Sequence, residues 1–274
     1  MKKLEYTVDI DGEKTIKEYL PTLGLSVTLV RKIKREGIFV DGVPCTVRAK
    51  IKRGSHLTLN LPEEKSEGIP PMDIPLKIVY EDNSLLIVDK PKNMPTHPSK
   101  GNNLPTLANA VMARYGGDFV FRSITRLDRD TSGLVLIAKD QISASLLSRE
   151  IKQGRVFKKY LAHASGRIES DHGIIDAPIR REREGEMKRI VSPDGKRAIT
   201  EYFVKQKNEE STLCEVVLHT GRTHQIRVHF AHLGHPLVGD FLYGERRDEG
   251  YFLRCVELGF THPKTKEYIS VKVD

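Results

Sequence analysis

The stretch "SITRLDRDTSGLVLIAK", residues 123–139, decides how the larger part of the chain is read. Five consecutive positions hold Arg126, Asp128, Arg129 and Asp130, and the chain then runs into Leu134-Val135-Leu136-Ile137-Ala138. That apolar run reads as a buried strand. Asp130, Thr131, Ser132 and Gly133 have turn chemistry, so Asp130 is explained as a turn former. Arg126 and Asp128 are not, because neither position demands a charge and an ion beside a core is costly unless it is paired.

Strand patterns dominate on both sides of this stretch. "LKIVYEDNSLLIVDK", "FKKYLAHASG", "AITEYFVKQK", "STLCEVVLHT" and "YISVKV" are β-branched or alternating, with helical segments at "LPTLANAVMARYG", "ISASLLSREIKQG" and "THQIRVHFAHLG". Runs of strands broken by few helices predict an α+β domain on a mixed, mostly antiparallel sheet flanked by helices and loops, over residues 75–274. Within it, "VDKPKNMPTHPS" (88–99) reads as a loop stiffened by Pro91, Pro95 and Pro98 that presents Lys90 and His97. Tyr160 alternates with apolar neighbours along a predicted strand. "VVLHTGRTHQIRVHFAHLGHPLVGD" (216–240) reads as a strand, a turn at Gly221 and a helix bearing Arg222, His224, Arg227 and His229. "RREREGEMKR" (180–189) reads as a charge-dense loop.

Residues 1–62 form a separate, small α/β unit in this reading, and 63–74, rich in Pro, Glu and Gly, a linker. Thr15 caps a first helix carrying Ile16, Tyr19, Leu20 and Leu23. Ser26 caps a second, which Gly37 stops. "IFVDGVPC" is an Asp-Gly hairpin, and "AKIKRGSHLTLNL" a further strand pair. Arg31, Lys34 and Arg35 share one side of the second helix, away from its apolar positions.

Composition narrows the function. The 274 residues hold 45 Lys+Arg against 37 Asp+Glu, a net charge of +8, which favours a polyanionic partner such as nucleic acid. Three cysteines in no CxxC or Cys/His spacing argue against a disulfide framework or structural zinc. His229, His232 and His235, spaced by three, drift round a helix, so a metal site is not expected. Asp128 and Asp130 are too close along the chain to flank one glycosidic bond as a carboxylate pair. Phosphate-binding glycine loops are absent from the sequence. No signal-peptide pattern or membrane-length apolar run is found either, so a cytoplasmic location and no membrane partner are expected.

"KPKNMPTHP", "RLDRDTSGLVLIAK", "KKYLAHASG", "HTGRTHQIRVHF" and "GHPLVGDFLYG", in that order, resemble the RluA-type pseudouridine synthases. Residues 15–60 resemble the RNA-binding domain named after ribosomal protein S-four. The first resemblance implies a cofactor-free isomerisation of uridine to pseudouridine in RNA, most directly in large-subunit ribosomal RNA or its precursor particle, by a monomeric enzyme. It implies Asp128 as the nucleophile, Arg227 as its cationic partner and Tyr160 as the ring stacked on uracil. Arg126 would fill the gap left by the extruded nucleotide, Leu253 would lie against the base, and Arg222 and His224 would bind substrate. The second resemblance implies RNA binding by Arg31, Lys34 and Arg35. The pattern departs from the family at Thr125, where a His is usual, at Asn93 for Gly, and at Leu253-Arg254-Cys255 for Leu-His-Ala. A synthase acting on tRNA, and an RNA-binding assembly factor with a vestigial site, are the alternatives.

Overall fold

A computed structural model describes residues 3–64, 68–99, 105–247 and 250–274. The chain folds round two main hydrophobic cores, a small one built from residues of the first sixty or so and a large one built from the rest.

The first unit comprises β1 (Lys3–Thr7), β2 (Glu13–Thr15), α1 (Ile16–Tyr19), α2 (Val27–Glu36), β3 (Ile38–Val40), β4 (Val43–Cys45), β5 (Lys50–Lys52) and β6 (His56–Asn60). Thr15 and Glu18 form a reciprocal capping box on α1, Ser26 caps α2, and Gly37 ends it. The first predicted helix is shorter than its periodicity suggests. Pro21 follows α1, and Leu20–Leu23 tighten into a 3-10 turn. The β3–β4 hairpin turns at Asp41 and Gly42, with φ of 50° and 79°. Positive φ at both central positions is what a two-residue type I′ turn requires. The predicted strand pair of residues 49–61 is corrected: β5 pairs with β2, while β6 lies between β1 and β3. The Arg53-Gly54 turn sends the two strands to different sheets, so adjacency in sequence does not become adjacency in space.

The larger unit comprises β7 (Lys77–Glu81), β8 (Leu85–Lys90), α3 (Leu107–Arg114), β9 (Ser132–Ala138), α4 (Gln141–Lys152), β10 (Phe157–Ser165), β11 (His172–Asp176), β12 (Ile179–Arg181), β13 (Arg189–Val191), β14 (Ile199–Lys207), β15 (Ser211–Leu218), α5 (Gln225–His232), β16 (Leu253–Thr261) and β17 (Tyr268–Lys272). Nine of these strands make one mixed sheet in the order β11-β14-β15-β10-β16-β9-β8-β7, with β17 beside the far end of β16. All its pairings are antiparallel except β9 with β16. The segment 180–189 is no simple loop, since its ends pair as β12 and β13.

The parallel contact depends on one glycine. Gly133 has φ of 107°, and a Cβ there would sit 2.1 Å from the Cys255 carbonyl oxygen. Only glycine lets the start of β9 approach β16 this closely. The turn at 126–131 is thereby set at the middle of the sheet, where β15 ends and β16 begins. The two units meet at α4. Ile142 packs against the small core, Ser145 Oγ lies 2.5 Å from the Ser26 amide, and Gln141 Nε2 donates to the Pro62 carbonyl at 2.8 Å.

Candidate active site

Arg126, Asp128, Tyr160, Arg222, His224, Arg227 and Leu253 line one cavity, although they come from four separate stretches of chain. This niche, about 60 Å³, opens into a groove of about 540 Å³ that shares Arg126, Asp128, Tyr160 and Arg222 with it. Arg31, Lys34 and Arg35 line neither cavity and lie exposed on α2.

The Asp128 turn is fastened from below by the loop before it. Lys90 is fully buried, and its Nζ donates to the carbonyls of Pro91, Met94 and Arg129 at 2.9, 2.8 and 3.1 Å. The expectation that this lysine is presented on the loop is therefore corrected. It is an internal knot that ties residues 91–94 to the turn, which three carbonyl acceptors make tolerable. Thr96 adds a second tie, donating to the Leu127 carbonyl at 2.8 Å and accepting from its amide at 3.2 Å. His97 is exposed, lines the groove and sits 5.9 Å from the Phe121 ring. Asn93 takes the glycine position with φ of 59°, a conformation asparagine tolerates. Thr125 accepts a hydrogen bond from the Leu136 amide at 2.9 Å, stitching the chain to β9 just before Arg126. Asp130 pairs with its neighbour Arg129 at 2.7 and 2.9 Å, and both lie in the turn that the Thr131 amide closes on the Asp128 carbonyl at 3.2 Å.

Asp128 is 31% exposed at its side chain. Its Oδ2 lies 3.5 Å from Arg227 Nη1 and 3.8 Å from His224 Nε2. Arg227 itself is held mainly by Asp240, which sequence reasoning passed over. Asp240 Oδ2 and Oδ1 accept from Nε and Nη2, both at 2.7 Å, and neither side chain is open to solvent. Burial opposes the charge on Arg227, but Asp240 more than offsets it and keeps the guanidinium charged. Tyr251, Tyr243 and Phe241 surround the guanidinium, with ring centres at 4.5, 5.1 and 5.9 Å. Asp240 fixes the arginine and leaves Nη1 facing Asp128.

Arg222 and His224 stand before α5, not on it, because the helix starts at Gln225. Gln225 organises this turn. Its Oε1 accepts from the Thr220 hydroxyl and the Arg222 amide at 2.8 and 2.9 Å, and its Nε2 donates to Ile199 O and Thr200 Oγ1 at 3.0 Å. His224 then adopts φ of 58°, which turns its ring toward Asp128. Its Nδ1 meets the Tyr243 hydroxyl at 2.8 Å, and burial lowers its pKa. His229 is not part of the site. It is buried on the other side of α5 between Thr200 and the Ala177 carbonyl, at 2.9 Å to each.

Tyr160 forms the floor. It pairs across β10 with Val216 on β15 and Cys255 on β16. Burial first, then Cys255 and Asp128, raises its pKa well above that of a free phenol, so the hydroxyl keeps its proton. Cys255 is buried, and burial pushes its thiol up to about 12. Leu253, also buried, forms the apolar wall, while Arg254 points away and binds Asp89 at 3.0 and 2.9 Å. The departures from the family pattern at 254 and 255 thus sit behind the site or beneath it. Among the described residues no group of three or more His, Cys, Asp or Glu could hold a metal ion.

The arrangement offers one carboxylate fixed beside a guanidinium, a neutral phenol and an apolar wall, in a niche that opens into the larger groove. Comparison with known proteins agrees with this chemistry. The family model for RNA pseudouridylate synthase matches residues 84–232. An uncharacterized RNA pseudouridine synthase of Bacillus subtilis, YjbO, is 40% identical over 261 residues, covering 92% of each chain. The Escherichia coli protein "Ribosomal large subunit pseudouridine synthase D" is 37% identical over 213 residues, which cover 76% of this chain and 65% of that one. Among solved structures, human RNA pseudouridylate synthase domain containing 1 superimposes with a TM-score of 0.63 at 29% identity, covering 75% of this chain and 85% of that one. Sequence, fold and site converge: the chain belongs to the RluA-type RNA pseudouridine synthases.

Proposed function

We propose that the protein isomerises uridine to pseudouridine in large-subunit ribosomal RNA, with Asp128 as the nucleophile. The reaction breaks the bond from ribose C1′ to uracil N1 and forms one from C1′ to C5; C5 loses a proton and N1 gains one. No electrons are exchanged, so the residues present suffice. Asp128 attacks the nucleoside, and Arg227 at 3.5 Å stabilises its negative charge. Tyr160 stacks its ring on the freed uracil, and its hydroxyl stays protonated. Leu253 closes the other side of the base. Arg126, exposed at the rim, enters the space left when the nucleotide is extruded, a step that costs a few kcal/mol.

The observation that carries this reading is the meeting of Asp128, Tyr160, Arg227 and Leu253 round one cavity. The ribosomal address rests on relatives such as the Escherichia coli and Haemophilus ducreyi proteins named as ribosomal large subunit pseudouridine synthases D. A transcript-wide map of pseudouridine in cells with and without the protein tests both parts. Loss of sites in large-subunit rRNA supports the proposal, whereas loss confined to tRNA would replace the address and leave the chemistry standing. No loss anywhere would overturn it.

A further inference from the structure

The two lysines before Tyr160 are neighbours in sequence but live in different electrostatic worlds. Lys159 lies on the far face of β10, with Glu257 at 3.3 Å and Glu215 at 4.0 Å. Lys158 lies on the Tyr160 face and lines the groove. Among the described residues no carboxylate stands within 4 Å of its ammonium, and burial lowers its pKa. A Cβ placed on Gly221 would be 3.5 Å from Lys158 Nζ, so the ammonium rests against the turn that carries Arg222.

Arg222 is likewise without a carboxylate, since its Nε donates to the Arg197 carbonyl at 2.9 Å and it forms no ion pair among the described residues. The carboxylate lining this groove, Asp128, is engaged with Arg227. A half-buried ammonium with no counter-ion is costly, and the cost is relieved when a ligand brings the missing negative charge. Two neighbouring cations without a carboxylate, on one groove of about 540 Å³, therefore describe a site awaiting an anion. A lysine serves as a compact point charge for phosphate and an arginine as a two-pronged donor.

We propose that Lys158 and Arg222 form a subsite for backbone phosphate of the RNA, next to the extruded nucleotide. This rests on the reading of the protein as an RNA pseudouridine synthase. The phosphodiester would register the strand so that the target ribose comes to Asp128. Lys158 is thus a binding residue, distinct from Tyr160 two positions on.

The test compares wild type with Lys158→Met, Lys158→Arg and Arg222→Gln on one RNA substrate, measuring kcat, KM and RNA affinity over a range of salt. Lys158→Met and Arg222→Gln should each raise KM about tenfold with kcat little changed. Each should also lower the slope of log affinity against log salt by about 0.7–0.9, the loss of one phosphate contact. Lys158→Arg should restore most of both. Arg222 is exposed, so its variant reports even if Lys158→Met fails to fold. An unaltered salt slope in folded variants would overturn the subsite, as would a fall in kcat at constant KM. Failure of wild type to convert RNA would instead overturn the enzymatic reading beneath it.

Discussion

Asp128 and Asp240 illustrate two ways of placing a carboxylate beside one arginine. Asp240 has no exposure and takes one edge of the guanidinium, Nε and Nη2, with both of its oxygens, whereas Asp128 is partly open and touches a single nitrogen at 3.5 Å. The first geometry holds, and the second leaves an oxygen free to react. Asp128→Asn keeps the shape and removes the nucleophilic charge. It should abolish isomerisation while RNA affinity shifts by less than about threefold, as for a near-neutral substitution. Product formation on a labelled RNA, paired with a binding titration, checks both halves. Asp240→Leu acts differently, because it removes one side of a buried ion pair. Breaking such a pair costs about 3–5 kcal/mol, and here it also frees Arg227 to turn from Asp128. Denaturant melts should show a large loss of stability for Asp240→Leu. Combining it with Arg227→Met should recover most of that loss without recovering activity. A double variant that regained turnover would remove Arg227 from the chemistry.

At the level of elements, local rules were legible and cross-chain partners were not. The caps at Thr15 and Ser26, the stop at Gly37 and the Asp41-Gly42 turn each rest on a few adjacent residues, and each formed as its local chemistry dictates. The β2–β5 pairing could not be read, because nothing within either strand names its partner. The site divides the same way. Asp128, Tyr160 and Arg227 sit in motifs long enough to recognise, but Gln225 and Asp240 act through contacts that only the fold creates. Lys90 is hidden for a similar reason: a lysine just before a proline at the start of a loop reads as exposed until three carbonyls converge on it. Glu81, at the end of β7, is another such junction. It accepts from Arg114 Nη2 at 2.7 Å, Tyr115 Oη at 2.6 Å and Lys139 Nζ at 2.9 Å, joining β7 to α3 and to the end of β9. The Tyr115 hydrogen bond first, then Lys139 and Arg114, overcome burial and hold its carboxyl at about 2. A depressed folded pKa means a stabilisation fully present above the unfolded value of 4.5 and lost as pH falls through about 2. Glu81→Gln should therefore lower stability at neutral pH by at most about 3 kcal/mol. Melts from pH 7 downward should show the gap to wild type closing below about pH 4.5, and a gap independent of pH would refute the assignment.

On the scale of the whole molecule, the question is how the first sixty residues serve a cavity they do not line. The unit docks through Gly24 and Ser26 onto Ser145 of α4, and Ile142 joins its core. A Cβ at Gly24 would meet Leu146 Cδ2 at 2.3 Å, which marks how closely the two surfaces fit. Docking of this kind consumes the apolar face of the unit and leaves α2 with Arg31, Lys34 and Arg35 exposed. None of the three forms an ion pair among the described residues, in contrast to Lys32, which binds Glu64 at 2.9 Å. Three unpaired cations on one helix face contribute little to folding, since surface charges rarely do. Their natural counter-ion is a polyanion, and we propose that α2 grips the RNA at a distance from the uridine being converted. Changing all three to Ala should leave the melting temperature within a few degrees of wild type. It should weaken RNA binding and flatten its salt dependence by about 2 to 3 in the log–log slope, one cation release per phosphate lost. Because these residues never reach the cavity, kcat at saturating RNA should hold while KM rises. A titration series at several salt concentrations decides the matter, and an unchanged slope would take α2 off the RNA.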